Sequence, residues 1–236
     1  RRVTLTVNVD LPRRIEVAHI AAIRDAIRPL VRGLGELVFE HRGSKLLREG
    51  KGVEGLEIYR KMAKADPKAA WLYVYILLDM GFGAAAKKVA KAAAAKLPKD
   101  VTIHVALGWA LEHDDLGRRH GIGHDRKGAI AAYRHAKSID AKDMRPRRVL
   151  ADLLRRDADG YAGHPAAADL QAALREYEAL VETHKDGYSR ARYAETLLVA
   201  RKLKRLRRLL DEGPSFPQRG IYHGALLAIE GKFDAY

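Results

Sequence analysis

One spacing recurs along the chain and restricts its fold more than any other feature. In "GLEIYRKMAKADP" the residues Gly55, Tyr59, Met62 and Pro67 stand four, three and five positions apart. In "AKKVAKAAAAKLP" Ala86, Ala90, Ala93 and Pro98 stand at the same intervals. "AIAAYRHAKSIDA" places Ala129, Tyr133, Ala136 and Ala141 in that register, "ALREYEAL" places Ala173, Tyr177 and Leu180, and "LRRLL" places Leu206 and Leu210. Steps of three and four put these side chains on one face of a helix. A small residue followed four later by an aromatic or a second small residue makes that face fit closely against a neighbour. Proline then stops the helix before the next one starts. Short breaks such as "GKG" (50–52), "GFG" (81–83) and "DG" (186–187) separate helices of about 12 residues, the pattern of antiparallel helical hairpins.

The segments between these helices share a second frame. "HVALGWAL" sets His104, Leu107, Gly108 and Leu111, "RRVLADLL" sets Leu150, Ala151 and Leu154, "RARYAETLL" sets Tyr193, Ala194 and Leu197, and "HGALLAIEGKF" sets Gly224, Leu227, Gly231 and Phe233. Taken with the second-helix spacing, this resembles the tetratricopeptide repeat, over residues 36–236 and some five and a half repeats. The resemblance implies an all-α fold, a right-handed superhelix of antiparallel hairpins. The small second-helix position advances by 31 residues from Gly55 to Ala86 and by 33 from Ala173 to Leu206, near the family period of about 34. It advances by 43 from Ala86 to Ala129 and by 44 from Ala129 to Ala173. Each of those two repeats therefore carries an insertion of about ten residues between its helices. The first is "EHDDLGRRHGIGHDRKG" (112–128) and the second "RRDADGYAGHPAAAD" (155–169), in which Asp114-x-x-Gly117 answers Asp157-x-x-Gly160. Longer loops inside the hairpin are similar to the Sel-one-like subclass. Asp125 stands where an N-cap of the following helix belongs. Both loops are expected to project from one edge of the stack, and removal of residues 115–123 is expected to leave it folded.

Residues 1–35 read differently. "VTLTVNVDLP" alternates apolar and polar residues and predicts one short strand stopped by Pro12; Val17, Ile20, Ile23, Ile27 and Leu30 then predict an amphipathic helix. This part resembles, more weakly, the joint between a bacterial transglutaminase-like domain and a helical-repeat tail. It implies a domain boundary near residue 35 and a preceding domain outside this chain. The chain opens on Arg1, which suits a piece of a longer protein.

Composition narrows the function classes. The chain has no cysteine, so disulfides and thiolate metal sites are excluded. A net charge of +14 points to nucleic acid, an acidic peptide or an anionic membrane surface as partner, although solvated helix faces account for much of it. The longest apolar run, Ala69 to Leu78, is half of what a membrane span needs. Neither compartment nor targeting is readable. His113, Asp114, His120, His124 and Asp125 could form a metal-ligand set, but the glycines between the histidines oppose the helix that would align them. "GIG" is too short for a nucleotide fingerprint, and no catalytic triad or carboxylate pair emerges. No catalysis, cofactor or small-molecule ligand is expected.

The remaining expectation follows from the resemblance. Repeats of this kind hold ligands along the face formed by their first helices. Carried over residue by residue, that face holds Trp71, Tyr75, Trp109, Glu112, Arg148, Asp152, Arg155, Tyr188 and Glu195, flanked by Arg145 and Arg156. Trp71 and Trp109 read equally well as core residues bridging neighbouring hairpins. The family's carboxylate clamp calls for Asn where Asp152 stands, which argues against that clamp. The expected function is a protein- or peptide-binding scaffold. Anion or nucleic-acid binding through "RKLKRLRRLLDEG" (201–213), and service as the accessory tail of a transglutaminase- or protease-like enzyme, are the alternatives.

Overall fold

A computed structural model describes residues 42–161, 165–183 and 186–232. The strand and helix expected within residues 1–35 lie outside them. The described residues fall into two compact units that divide between Met62 and Ala63.

In the first unit residues 42–48 are helical and are followed by α1 (Gly52–Ala65). The recurrent spacing explains their contact. Tyr59 is buried, and its ring lies where a Cβ on Gly43 would stand. Its hydroxyl meets Ser44 Oγ at 2.8 Å, while Gly55 faces Leu47.

The second unit begins with a 3-10 turn, Pro67–Ala69, and continues as α2 (Ala70–Asp79), α3 (Gly83–Lys96), α4 (Val101–Leu111), α5 (Arg126–Ile139), α6 (Met144–Leu154), α7 (Ala167–Thr183), α8 (Gly187–Val199), α9 (Leu203–Glu212) and α10 (Arg219–Ile229). Successive helices pair as hairpins, α2 with α3, α4 with α5, α6 with α7, and α8 with α9. Each second helix also packs on the first helix of the next hairpin, and first helices of neighbouring hairpins touch. Every described helix is α-helical apart from that one 3-10 turn, and no strand occurs among the described residues. No described helix is long and apolar enough to cross a membrane.

The core lies where the repeated positions predict. Ala86, Ala90, Ala129, Tyr133, Ala136, Ala173, Tyr177, Leu180, Leu206 and Leu210 are all buried. Gly108 allows the closest approach, because a Cβ there would overlap the Tyr133 ring.

Helix starts are marked by aspartates. Asp66, Asp100, Asp143 and Asp186 each accept a backbone N–H in the first turn that follows. They recur every 34, 43 and 43 residues, so the two long repeats show again in the caps. Uninserted first helices end alike. After α2, Gly81 takes φ +84 and the Phe82 N–H reaches back to the Leu77 carbonyl at 2.8 Å. Arg201 after α8 and Gly231 after α10 repeat this left-handed end, with Lys202 bonding to Leu197 and Lys232 to Leu227.

Candidate functional site

The two insertions replace that short end with a built loop. In the first, Asp114 Oδ1 accepts the N–H groups of Leu116 and Arg118 at 2.9 Å each, and its own N–H donates to the Arg118 carbonyl. Gly117 completes the turn at φ +74. The second loop repeats it atom for atom: Asp157 Oδ1 accepts from Asp159 and Tyr161, the Asp157 N–H donates to the Tyr161 carbonyl, and Gly160 takes φ +85. The aspartate ties the loop shut and the glycine supplies the positive φ. This agrees with the correspondence between the two insertions read from the sequence.

The two loops, expected to project from one edge of the stack, are each tied to a neighbour. Gly83 at the start of α3 lies against the Asp114 carbonyl, and Gly117 against Gly81 and the Leu78 carbonyl, so the first loop sits on the preceding hairpin's turn. Gly160 of the second loop lies against the His120 side chain of the first. Arg126 donates to the Arg156 carbonyl at 2.9 Å and pairs with Asp169, while Arg156 closes its own loop on the Gly160 carbonyl. The loops thus form a continuous edge. Asp125 caps α5 by accepting the Gly128 N–H at 2.8 Å.

Glu112 holds the first loop to the hairpin. Its carboxylate is fully buried (0 % exposed), accepts the Tyr133 hydroxyl at 2.5 Å, and receives Arg119 through Nε and Nη2 at 2.9 and 2.7 Å. Burial and the Glu112 charge push the Tyr133 phenol well above its ordinary pKa. A residue assigned to the ligand face is therefore an internal anchor. Around it, His113 Nδ1 donates to the Trp109 carbonyl at 2.7 Å, and burial lowers its pKa. Burial, helped by Arg119, Arg156, His124 and His113, lowers His120 to about 4. Two arginines beside a histidine repel a cation, and among the described residues no group of three His, Asp or Glu is placed to hold a metal ion.

The other expected residues form a row on the first helices. Trp71, 38 % exposed, meets Tyr75 edge-on at 6.0 Å, and Tyr75 stacks on Trp109 of the next hairpin at 5.9 Å. The Arg119 guanidinium lies 4.2 Å above the Trp109 ring. Tyr75, Trp109, Asp152 and Glu195 each stand nine positions after a capping aspartate, so they occupy one register. Asp152 accepts the Tyr177 and Tyr188 hydroxyls at 2.5 and 3.0 Å. Arg155 lies beside it and reaches Glu195 at 3.0 Å; Arg192 also reaches Glu195, at 2.8 Å, and lies over the Tyr188 ring. Arg148 pairs with Asp186 at 3.5 Å, and Arg145 with Asp143. The row has an aromatic half, Trp71 to Trp109, and an ionic half, Arg148 to Glu195. Tyr188, 48 % exposed, is its most open member in the second half. The expectation missed Arg119 and Arg192, because the path of the first loop and the side-chain packing on α8 place them.

The basic helix α9 is more neutral than its letters suggest. Arg205 pairs with Glu178, Arg207 with Glu230 and Arg208 with Glu212.

No family model matches the sequence, and no curated protein matches it. Solved structures do. The chain superposes on a tetratricopeptide repeat protein from Parabacteroides merdae with a TM-score of 0.53 at 12 % identity, over 92 % of this chain and 80 % of that one. The fold is tetratricopeptide-like. A chain in the structure of Naa15/Naa10 bound to HypK-THB gives a TM-score of 0.50 at 15 % identity, over 83 % of this chain and 29 % of the other. At these identities the likeness concerns architecture alone.

Proposed function

We propose that this tetratricopeptide-like chain is a protein-binding scaffold and that the first-helix row is its ligand face, with no chemistry of its own. The observation that carries the reading is the partly exposed aromatic row Trp71–Tyr75–Trp109, which crosses from one hairpin to the next. Flat rings held against one another lose little side-chain freedom on binding, and they offer an extended segment both apolar area and a polar rim. The ionic half beyond Trp109, where Arg145, Arg148 and Arg155 stand beside Asp143, Asp152, Asp186 and Glu195, offers such a segment polar contacts of both signs. Pairing of the α9 arginines with glutamates argues against nucleic acid as the partner.

The chain's two tryptophans both lie in the row, so ligand arrival is readable in their fluorescence. Peptides selected on the immobilised chain from a displayed library should quench or shift that emission. Trp71→Ala and Trp109→Ala should weaken them about tenfold or more, as loss of an aromatic anchor does. Lys88→Ala on a second helix should not. Selected peptides that leave the emission unchanged and tolerate both tryptophan substitutions would sink the proposal.

A further inference from the structure

Arg190 is the one buried arginine of α8, and no carboxylate among the described residues pairs with its charge. It is 6 % exposed. Its single hydrogen bond is a long one, from Nη2 to the Val181 carbonyl at 3.4 Å, its Nε has no partner, and no carboxylate of the described residues lies within ion-pairing distance. A guanidinium does not shed its proton, so burial cannot neutralise it. A buried cation left unpaired is strongly unfavourable, and such groups are stable once an acceptor is supplied.

The surroundings provide room for one. Arg190 lines an open cleft of about 410 Å³ between the second helices α7 and α9, away from the first-helix row. Val181, Tyr193, Leu209 and Pro214 give it apolar walls. Gly213, just past α9, leaves space in front of the guanidinium: a Cβ there would stand 3.0 Å from Arg190 Nη1. The other two arginines in the cleft are already occupied, Arg205 by Glu178 and Arg208 by Glu212. Only Arg190 has a donor fork to offer.

We propose that this cleft is a second binding site, which takes a carboxylate in a bidentate pair with Arg190. The planar fork matches a carboxylate. The glutamates of the cleft, Glu178, Glu182 and Glu212, repel a polyanion or a doubly charged phosphate and tolerate a single negative charge. The site does not depend on the aromatic row, so either can fail without the other.

The test follows the Arg190 Nε–Hε NMR signal of the 15N-labelled chain at constant ionic strength. One arm adds butyrate, a monocarboxylate, a second a blocked peptide with one glutamate, and a third inorganic phosphate. A saturable shift with butyrate or the peptide is expected; read on the backbone amide of Gly213, which lies beside Nη1 and is present in both chains, binding weakens about tenfold or more in Arg190→Gln, as befits loss of a charge-assisted pair. Tighter binding of the peptide identifies a partner protein as the source of the carboxylate; tighter binding of butyrate identifies a small acid. If Arg190→Gln does not fold, Arg190→Lys keeps the charge without the planar fork and should weaken binding likewise. No saturable shift with either carboxylate up to about 50 mM, where affinity would be negligible, leaves water as the only occupant and overturns the proposal. So does a shift produced by phosphate alone.

Discussion

Tyr133 meets one residue without a side chain and one acceptor, and both contacts are sensitive to single substitutions. Its ring occupies the space of a Gly108 Cβ, so Gly108→Ala should push α4 and α5 apart at a fully packed point. A loss of about 1–3 kcal/mol is expected in urea unfolding. Gly123→Ala is the informative contrast. Nothing lies within 4 Å of its Cβ position, but its φ of +85 disfavours a side chain, so about 1 kcal/mol is expected from the backbone alone. Glu112→Gln removes the charge that Arg119 and the Tyr133 hydroxyl share. Breaking a buried pair from one side should cost about 3 kcal/mol, and the Trp109 emission should change as Arg119 moves from its ring. Gly108 was recognisable from the sequence, since a glycine in a helix interior needs a packing reason. The role of Glu112 was not, because at the end of α4 a carboxylate can face solvent or fold inward. The choice was made by Arg119, seven residues later, through a loop whose path no local spacing encodes.

At the scale of elements the repeat was legible because each helix carries its own evidence: a spacing, a cap and a stop. The loops were half legible. Asp-x-x-Gly revealed that they are twins, but their docking depends on backbone-to-backbone contacts, Gly83 on the Asp114 carbonyl and Gly117 on Gly81, which leave no periodic signature. Their docking gives the removal of residues 115–123 a cost that the repeat frame alone does not foresee. That cut deletes Arg119 and His120 while leaving Glu112 and His113 buried without them, so the shortened chain should lose cooperative thermal unfolding by circular dichroism. A milder probe is pH. His120, 11 % exposed, is faced by Arg119, Arg156, His124 and His113, with Glu112 Oε2 at 3.7 Å as the opposing charge. Its folded pKa of about 4 lies below the 6.5 of an open imidazole, so the unfolded chain binds the proton first. Stability should fall as pH drops from 6.5 towards 4, by at most about 3 kcal/mol from this group. His120→Asn, which tolerates the local φ of +57, should flatten that part of the profile relative to the parent chain; identical slopes would remove His120 as the cause.

For the whole molecule the distribution of locks along the stack matters more than their number. In a repeat array each hairpin is held by itself and by its neighbours, so stability varies with position. Between residues 63 and 232 the middle hairpins, α4–α5 and α6–α7, have the ordinary helix contacts plus the loop edge, with Arg126 bonded to Arg156 and Asp169 and Gly160 seated on His120. Lys137 and Arg147 converge on Glu176 across the same pair of hairpins. The α8–α9 hairpin has no such loop, and α10 buries only Leu226 fully. Native-state hydrogen exchange should therefore show the slowest amides in α5 and α6 and progressively faster ones through α9 to α10, with opening free energies approaching the global value only in the middle. The aromatic row spans α2 and α4 and leads into this rigid block, whereas the Arg190 cleft lies on its more mobile flank, between α7 and α9. A ligand at the row should therefore add little protection, because its site is already ordered, while a carboxylate on Arg190 should slow exchange in α9. Uniform protection from α4 to α10, unchanged by either ligand, would mean that the insertions do not differentiate the stack and that their docking contributes no more than an ordinary turn.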